Sequence, residues 1–211
     1  MNFYLFTKRA LDIAGGLVGV ILFAPLMLAT VIWIKLVSPG GPVFLEAIER
    51  VGKDGKEFPM YKFRSMIPHA QEWLKNHPEL YQKYQENGYK LDPDPRWIKG
   101  AEFMRKYSID EMPQFFNVLF GSMSLVGYRA YYGFELEEQV IRFPDAKQYL
   151  DIALTVKPGI TGVWQTEGRS SVGFLDRVKI DATYAKRKSV LYDLLIILKT
   201  PFAVLSGKGA F

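Results

Sequence analysis

The feature that most constrains this chain is a run of 22 residues without a charge, from Ile13 to Ile34. Of these, 17 are Ala, Val, Ile, Leu, Met, Phe or Trp. As an α-helix the run would measure about 33 Å, enough to cross a hydrocarbon layer about 30 Å thick. The sequence therefore predicts a membrane helix near the N-terminus. A cleaved signal peptide is a poor interpretation, because the run is too long and no small-x-small site follows it.

Pro25 lies close to the middle of this run. It cannot donate the backbone hydrogen bond to the carbonyl of Ile21, so we expect a bend at this point. Two topologies remain open: a kinked helix that spans the bilayer, which is the commoner use of such a segment, and a re-entrant helix that enters and leaves through one face. Basic residues flank both ends, so the positive-inside rule favours neither direction for a single crossing.

Composition narrows the chemistry that 211 residues of this kind can perform. There is no cysteine and there are two histidines, which excludes disulfides and thiolate ligands and makes a zinc site or a Ser-His-Asp triad improbable. The net charge of +5 fits phosphorylated ligands or anionic lipid, and does not by itself indicate nucleic acid. Catalysis would rest on carboxylates, on Arg and Lys, and on a metal bound by oxygen.

After the breaker cluster at 38–42 the pattern predicts a mainly α-helical domain with a small β-hairpin, an α+β fold. Expected strands cover 43–48 and 58–63 around a turn at 51–56. Expected helices cover 69–87, 101–107, 111–120, 134–142, 172–187 and 190–205. The last helix carries an apolar run flanked by lysines, which fits an interfacial helix or one buried against the domain. The chain thus divides into a membrane helix at 1–37 and a domain at 38–211.

Asp110 and Glu111 are the first pair of residues that could carry chemistry. Ser108 and Glu111 have the spacing of a capping box, whereas Pro113 in the first turn would make Asp110 the N-cap. Capping is the commoner use of such residues. The functional interpretation uses the same position: a helix N-terminus would keep one carboxylate ionised as a nucleophile, and its neighbour could hold Mg²⁺.

Three further segments could bind anions. In a strand, Lys62 and Arg64 would share one face, either as a solvated face or as an anion-binding edge. Arg129, between a glycine turn and aromatics, could clamp phosphate or pair with Glu135 or Glu137. The glycine-flanked loop from Lys157 to Ser170, which contains Gln165, could expose backbone N–H groups, although ordinary turns also need glycine. No Walker or dinucleotide motif is present.

The ordered set of motifs resembles the bacterial sugar transferase family, the monotopic polyprenyl-phosphate phosphoglycosyl transferases, over nearly the whole chain. The matching segments are the apolar helix with its proline, 50–55, 61–66, 94–96, 108–114, 116–119, 124–127, 157–162 and 168–169. The segment 70–93 and the C-terminal residues 207–211 resemble the undecaprenyl-phosphate galactose-phosphotransferase branch. Members of that branch often have an extra N-terminal membrane domain, so the chain looks like the catalytic unit alone.

The resemblance implies a ping-pong reaction. Asp110 would attack the β-phosphorus of a UDP-sugar and release UMP, and undecaprenyl phosphate would then accept the sugar phosphate. Glu111 would hold Mg²⁺. Other implied site residues are the phosphate-binding Lys62, Arg64, Arg129 and Arg169, and the polar candidates Asp181, Gln165 and Asn117. The sugar implied by the branch is galactose or glucose, and the pathway is assembly of a capsule, O-antigen or exopolysaccharide.

The resemblance also implies a location and partners. UDP-sugars are cytosolic, so a re-entrant helix bent near Pro25 would keep both basic flanks and the catalytic domain on the cytoplasmic face of the bacterial inner membrane. Anionic inner-membrane lipids are expected partners, nucleic acid is not, and a homodimer fits the likeness to the longer relatives. A catalytically silent membrane scaffold of the same pathway is the alternative function.

The sequence departs from the family pattern at positions that bear on that alternative. Ala24 stands where many members have serine, and Ser122 replaces a usual acidic residue. Tyr128 and Ala130 flank Arg129 where the family usually has prolines, which puts the rigidity of this loop in question.

Overall fold

The computed structural model describes residues 3–45, 48–87, 91–167 and 172–206. The helices are α1 (Phe3–Val37), α2 (Ala70–Lys75), α3 (Pro78–Glu86), α4 (Ala101–Lys106), α5 (Gln114–Phe120), α6 (Gly133–Arg142), α7 (Ala146–Ala153), α8 (Val163–Glu167), α9 (Phe174–Arg187) and α10 (Val190–Ser206). The strands are β1 (Ile48–Val51), β2 (Glu57–Met60), β3 (Ser124–Val126) and β4 (Gly159–Thr161). The fold is mostly helical, as the sequence predicts.

The predicted hairpin is present, with β1 and β2 antiparallel and Val51 opposite Glu57. Its first strand, β1, begins at Ile48, which is the last residue of the strand predicted over 43–48. A second sheet, in which β3 pairs parallel with β4, was not predicted. Each of its strands has three residues, and the pairing joins segments far apart in the chain, so no local pattern reveals it.

The helical predictions differ from the structure in three places, one of which is the short helix α8, in the segment 157–170 that was expected to be a loop. The helix expected over 69–87 is divided into α2 and α3, because Pro78 cannot continue the backbone hydrogen bonding and instead occupies the first turn of α3. The helix α7 was not expected. It packs along α9 and buries Ala146, Leu150 and Ala153.

The long helix α1 continues through Pro25 and packs one side against the domain along most of its length. Gly16 and Gly19 allow α5 to approach closely, since a Cβ on Gly19 would overlap the ring of Phe115. Nearer its C-terminal end, Ile34 is fully buried in a cluster with Phe63. The helix is therefore part of the tertiary structure rather than an appended tail.

The opposite side of α1 is apolar and exposed. The exposed large apolar side chains on this side are Phe3, Leu5, Phe6, Ile13, Leu17, Val18, Ile21, Leu22, Leu26, Leu28, Ile32 and Leu36. Within the described ranges α1 is the one helix that is long and apolar enough to cross a membrane. The helix α10 adds exposed Leu191, Leu194, Leu195, Leu198, Phe202 and Leu205 while it buries Asp193 and Ile196. Apolar surface of this extent indicates membrane association.

Candidate active site

Asp110 lies in a short 3₁₀ turn, Ile109–Glu111, that precedes α5. Its backbone carbonyl accepts a hydrogen bond from the backbone N–H of Phe63 at 2.8 Å, which docks the segment after β2 onto this turn. Neither predicted cap forms. Ser108 makes no side-chain cap and has a left-handed backbone (φ 54°), and α5 begins at Gln114, beyond the expected start. The turn is thus held by tertiary contacts and not by helix capping.

Lys62 joins the two carboxylates. Its Nζ lies 2.9 Å from Asp110 Oδ2 and donates to Glu111 Oε1 at 3.3 Å. The Asp110 side chain is 2% exposed, whereas that of Glu111 is 30% exposed. One ammonium therefore serves a buried carboxylate and a second one that faces outward.

The electrostatics differ between the two carboxylates. Burial raises the pKa of Asp110; the Lys62 ammonium opposes this rise and the Glu111 carboxylate adds to it. Burial alone would also raise the pKa of Glu111, but the charges of Lys62 and Arg129 outweigh it and lower the pKa. Burial acts to lower the pKa of Lys62, yet the two carboxylates hold it above its usual value. The ionised form of Asp110 thus depends on Lys62, and not on a helix N-terminus as the sequence suggested.

Asn117 positions Lys62 from within α5. Its Oδ1 accepts the backbone N–H of Tyr61 at 2.9 Å, and its Nδ2 donates to the carbonyl of Pro59 at 2.7 Å. Nδ2 also lies 3.1 Å from Ser122 Oγ. These bonds fix the chain immediately before Lys62, so the structure gives Asn117 a positioning role.

Arg64 lies outside this group. Its guanidinium donates to Ser38 Oγ at 2.7 Å, to the carbonyl of Ser38 at 2.6 Å and to the carbonyl of Pro42. Arg64 therefore holds the segment that follows α1 in place. Strand β2 ends at Met60, so the alternation that placed Lys62 and Arg64 on one face does not apply.

Arg129 is near enough to Glu111 for its charge to lower the pKa of that carboxyl. Its guanidinium carbon is 4.9 Å from the ring centroid of Trp164, and that of Arg177 is 5.6 Å from the same centroid. Within the described ranges Arg129 forms no ion pair with Glu135 or Glu137, which were its alternative partners. Its guanidinium remains available to an anionic ligand.

Asp181 lies beneath the Arg129 loop. Its Oδ2 accepts from the backbone N–H of Arg129 and from the hydroxyl of Tyr131, both at 3.4 Å. Burial raises the pKa of Asp181 to about 7, against the hydrogen bonds and the nearby Arg177 charge. Its Oδ1, like Oε1 of Gln165, is buried without a hydrogen-bond partner in the described part of the chain. Asp181 supports the loop, and Gln165 lies beside Trp164 in α8.

Tyr128 replaces a usual proline but still fixes the loop. It is fully buried, its hydroxyl donates to the carbonyl of Val51 at 2.9 Å, and its backbone bridges to Pro158. The carbonyl of Ala130 accepts from Arg50 at 3.0 Å. Burial and hydrogen bonds therefore provide the rigidity that the missing prolines would have supplied.

Sequence reasoning gave no site role to Arg50 or Arg177. Arg50 is buried, its guanidinium carbon lies 3.2 Å from the ring centroid of Tyr132, and its charge also lowers the pKa of Glu111. The Nε atoms of both arginines are buried without a hydrogen-bond partner among the described residues. Arg50 stood in a family motif, which was a usable signal, whereas Arg177 in α9 had none. Arg169 lies outside the described residues.

The carboxylate pair suits a hard divalent cation that is shared with a ligand. Within the described ranges no group of three or more His, Cys, Asp or Glu side chains could hold a metal. Mg²⁺ does not need one, because it commonly binds one or two carboxylates together with substrate phosphates and water. The partly exposed Glu111, beside buried Asp110, fits such a site.

Comparison with known proteins identifies the family of this chain. A family model described as bacterial sugar transferase matches residues 3–207. The chain is 42% identical over 210 residues to the undecaprenyl-phosphate galactose phosphotransferase of Salmonella typhimurium, covering 98% of this chain and 42% of that protein. It is 39% identical over 210 residues to the UDP-N-acetylgalactosamine-undecaprenyl-phosphate N-acetylgalactosaminephosphotransferase of Aeromonas hydrophila, covering 98% of this chain and 45% of the relative.

A third relative is matched over most of both chains. The exopolysaccharide production protein ExoY of Sinorhizobium fredii is 34% identical over 209 residues, which cover 97% of this chain and 88% of that protein. The chain spans less than half the length of the first two relatives. The family match over nearly all described elements, together with the Lys62–Asp110–Glu111 group, shows that the chain belongs to the bacterial sugar transferase family.

Proposed function

We propose that this protein transfers a sugar 1-phosphate from a UDP-sugar to undecaprenyl phosphate, through a phosphosugar bound covalently to Asp110. The observation that carries the proposal is the buried Asp110 carboxylate, held 2.9 Å from Lys62 beside the more exposed Glu111. The names of the relatives, which include galactose and N-acetylgalactosamine phosphotransferases, supply the substrate class. The pathway would be assembly of a surface glycan.

In the first step an oxygen of Asp110 attacks the β-phosphorus of the UDP-sugar. The bond from that phosphorus to the bridging oxygen breaks, and UMP leaves with the electron pair. An ionised carboxylate needs no base to deprotonate it, which suits a site with no histidine among its described residues. Lys62 keeps Asp110 ionised before the attack, and the Asp110 anion is consumed as the new P–O bond forms.

The arginines around Trp164 bind the charge that develops on phosphate. Arg129 and Arg177 both lie within 6 Å of that ring, and Arg129 and Arg50 both act electrostatically on Glu111. A guanidinium can donate two parallel hydrogen bonds to a phosphate. We assign the diphosphate of the donor to this side of the site, with Arg129 as its main ligand and Arg169 as a further candidate from the sequence.

In the second step an oxygen of undecaprenyl phosphate attacks the phosphorus of the aspartyl intermediate. The bond from phosphorus to Asp110 breaks, the carboxylate is regenerated, and undecaprenyl-diphosphate-sugar is released. Glu111 would hold Mg²⁺, which when bound neutralises diphosphate charge. The apolar surface of α1 and α10 supports delivery of a polyprenyl acceptor from the membrane.

We also propose that α1 is re-entrant, with the domain on the cytoplasmic face of the inner membrane. Both ends of the helix contact the same domain: Arg9 donates to the carbonyls of Val118 and Leu119 at 2.7 Å, and Trp33 donates to the carbonyl of Lys99 at 3.0 Å. A helix that crosses the bilayer would carry one end away from a domain confined to one side. This packing supports entry and exit through one face; the bend near Pro25 is part of the proposal that rests on the sequence.

The function is tested by incubating the purified protein with Mg²⁺ and a panel of UDP-sugars. We expect UMP release and an added mass of one sugar phosphate, both lost in Asp110→Asn. Asp151→Asn is the matched control, because Asp151 is an exposed aspartate in α7. It should behave as wild type.

Two outcomes would overturn the proposal. Full turnover by Asp110→Asn would mean that another group is the nucleophile. Failure of every UDP-sugar to react with the wild type, under conditions in which it remains folded, would favour the catalytically silent scaffold.

Topology is tested separately with an N-terminal tag in sealed vesicles of both orientations. Re-entry predicts that the tag and the catalytic domain are accessible from the same side. Protection of the tag from the cytoplasmic side would show that α1 spans the bilayer.

A further inference from the structure

Two basic side chains meet at the C-terminal end of α5, away from the carboxylate pair. Gly121 follows α5 with a left-handed backbone (φ 88°). A Cβ placed on Gly121 would lie 3.5 Å from Arg9 Nη2 and 3.5 Å from Lys157 Nζ. A guanidinium from α1 and an ammonium from the segment before β4 therefore border the same small space, which we call the α5-end site.

Lys157 has an unusual environment for a lysine. Among the residues that the structure describes, its ammonium has no hydrogen-bond acceptor and no ion-pair partner. Burial lowers the pKa of Lys157, and the charges of Arg9, Lys53 and Lys8 lower it further, with only Asp12 opposing them. Like charges held together in this way favour binding of an anion.

Asp12, the acidic residue near Lys157, already has hydrogen-bond partners of its own. Asp12 Oδ1 accepts from Ser124 Oγ and from the backbone N–H of Leu125, both at 2.9 Å, and lies 3.4 Å from Lys8 Nζ. It is 2% exposed. Asp12 therefore cannot turn toward Lys157 without breaking these bonds.

Capping of α5 explains only part of the arrangement. Arg9 donates to the carbonyls of Val118 and Leu119, the last carbonyls of α5, which is a common use of a cation at a helix C-terminus. These two bonds leave further N–H groups of the guanidinium free, since it has five donors. They give no role to the ammonium of Lys157.

The surroundings of the site are apolar and exposed. Leu5, Phe6 and Ile13 lie within about one turn of Arg9 on α1, and all three are exposed. Phe120, directly before Gly121, is 72% exposed. A soluble anion would contact only the basic pair. An amphiphile with an anionic head and acyl chains would contact both the basic pair and the exposed apolar side chains around it.

We propose that Arg9 and Lys157 bind the phosphate group of an anionic membrane phospholipid at the α5-end site. The α5-end site is separate from Asp110, and lipid binding there does not depend on the enzymatic reaction. Bound there, a phospholipid would connect α1, α5 and the β3–β4 sheet at the level of the headgroups. It would thereby fix the depth at which the domain sits on the membrane.

The test uses the full chain, purified in detergent and stripped of lipid. The probes are dioctanoyl phosphatidylglycerol, dioctanoyl phosphatidylcholine and inorganic phosphate at equal concentrations. We measure the thermal unfolding midpoint and, by native mass spectrometry, the number of bound lipids. A ligand that binds the folded state raises the midpoint in a saturable way. We expect such a rise with phosphatidylglycerol and little with the other two probes.

The variants separate this site from general lipid affinity. Lys157→Gln and Lys157→Met should weaken the apparent Kd for phosphatidylglycerol about tenfold, as expected for loss of a charge-assisted hydrogen bond. Lys157→Arg should restore binding. Lys75→Gln, which removes an exposed lysine of α2, should bind as wild type does.

Three results would contradict the proposal. A wild-type response from both neutral variants would place lipid binding elsewhere. An equal rise of the unfolding midpoint with inorganic phosphate would make this a site for a soluble anion. An equal rise of the midpoint with phosphatidylcholine would show that the acyl chains, and not an anionic head, are recognised.

Discussion

The protein contains two groups in which one largely buried lysine bridges two carboxylates, and the two groups differ in their hydrogen bonding and exposure. Around Lys8, the carboxylate of Asp12 accepts from Ser124 and Leu125, and that of Asp193 accepts from the hydroxyl of Tyr184 at 2.6 Å. Around Lys62, the buried Asp110 Oδ2 has a single polar contact in the described part of the chain, with Lys62 Nζ at 2.9 Å.

The difference shows how the same residue types can hold segments together in one place and leave a carboxylate available for the proposed chemistry in another. The Lys8 group connects α1, β3, α9 and α10, and its carboxylates are committed to protein donors. The Lys62 group leaves an oxygen under-used, with Glu111 facing outward and arginines nearby. An incompletely paired buried carboxylate is costly for stability, so its presence is a reason to look for a ligand.

The largest expected effect comes from Asp110→Asn. We expect the rate of UMP release to fall at least ~10³-fold, because an amide cannot form the covalent intermediate. The unfolding midpoint should stay equal or rise, since the variant removes a buried charge whose pKa is already raised. Activity assays and thermal unfolding in detergent measure both. A clear loss of stability would mean that the Lys62 group is architectural after all.

The opposite pattern is expected for Asp193→Asn. Asp193 is fully buried and lies 3.2 Å from Lys8 Nζ, so its loss should cost about 3–5 kcal/mol of unfolding free energy, as for other broken buried pairs. Activity per folded molecule should stay within a few-fold of wild type. Denaturant or thermal unfolding checks the cost.

Asp176→Asn is the control for Asp193→Asn, since Asp176 forms an exposed ion pair with Lys179 at 3.5 Å. Exposed pairs contribute roughly 0–1 kcal/mol, so this variant should be nearly neutral. If the two variants lost equal stability, the Lys8 group would not be the connection that we infer.

Lys62 and Arg64, two residues apart, offer a second comparison between a residue of the candidate site and one that holds the chain in place. We expect Arg64→Lys to cost about 2–3 kcal/mol, because an ammonium cannot reproduce the fork of bonds to Ser38 and Pro42. The KM for UDP-sugar should not change. A raised KM with normal stability would return Arg64 to the phosphate-binding residues.

The smallest effect concerns pH. The pKa of Asp181 is about 7 in the folded protein and about 4 when unfolded, so between these values the unfolded chain has lost a proton that the folded one keeps. Stability contributed by the protonated carboxyl is present below pH 4 and is lost as pH rises through 7. We expect a decline of about 2 kcal/mol from pH 5 to 7.

Asp181→Asn should flatten this pH dependence when unfolding is followed across the same range. An unchanged slope in the variant would assign the titration to another group.

The sequence located the carboxylate pair of the candidate site, but not the contacts that set its electrostatics. Asp110 and Glu111 stand out as neighbouring carboxylates in a family motif, and Lys62 stands out in another. Their contact depends on the hydrogen bond from Phe63 to the Asp110 carbonyl and on Asn117, which joins residues more than 50 positions apart. Local patterns pointed to a helix cap, which the structure does not form. Arg177 had no signal because its role arises only from proximity to Trp164.

By itself, the sequence determined the apolar N-terminal helix, the hairpin and the positions of most helices, because periodicity and Pro or Gly breakers act over a few residues. It also indicated that catalysis would rest on carboxylates, Arg and Lys, since cysteine is absent and histidine is scarce. Only the tertiary structure decided which lysine–carboxylate group is fully paired and which is left open. Pairing and burial depend on segments that are distant in the chain, and these properties shift the pKa of each carboxylate, on which its proposed role depends.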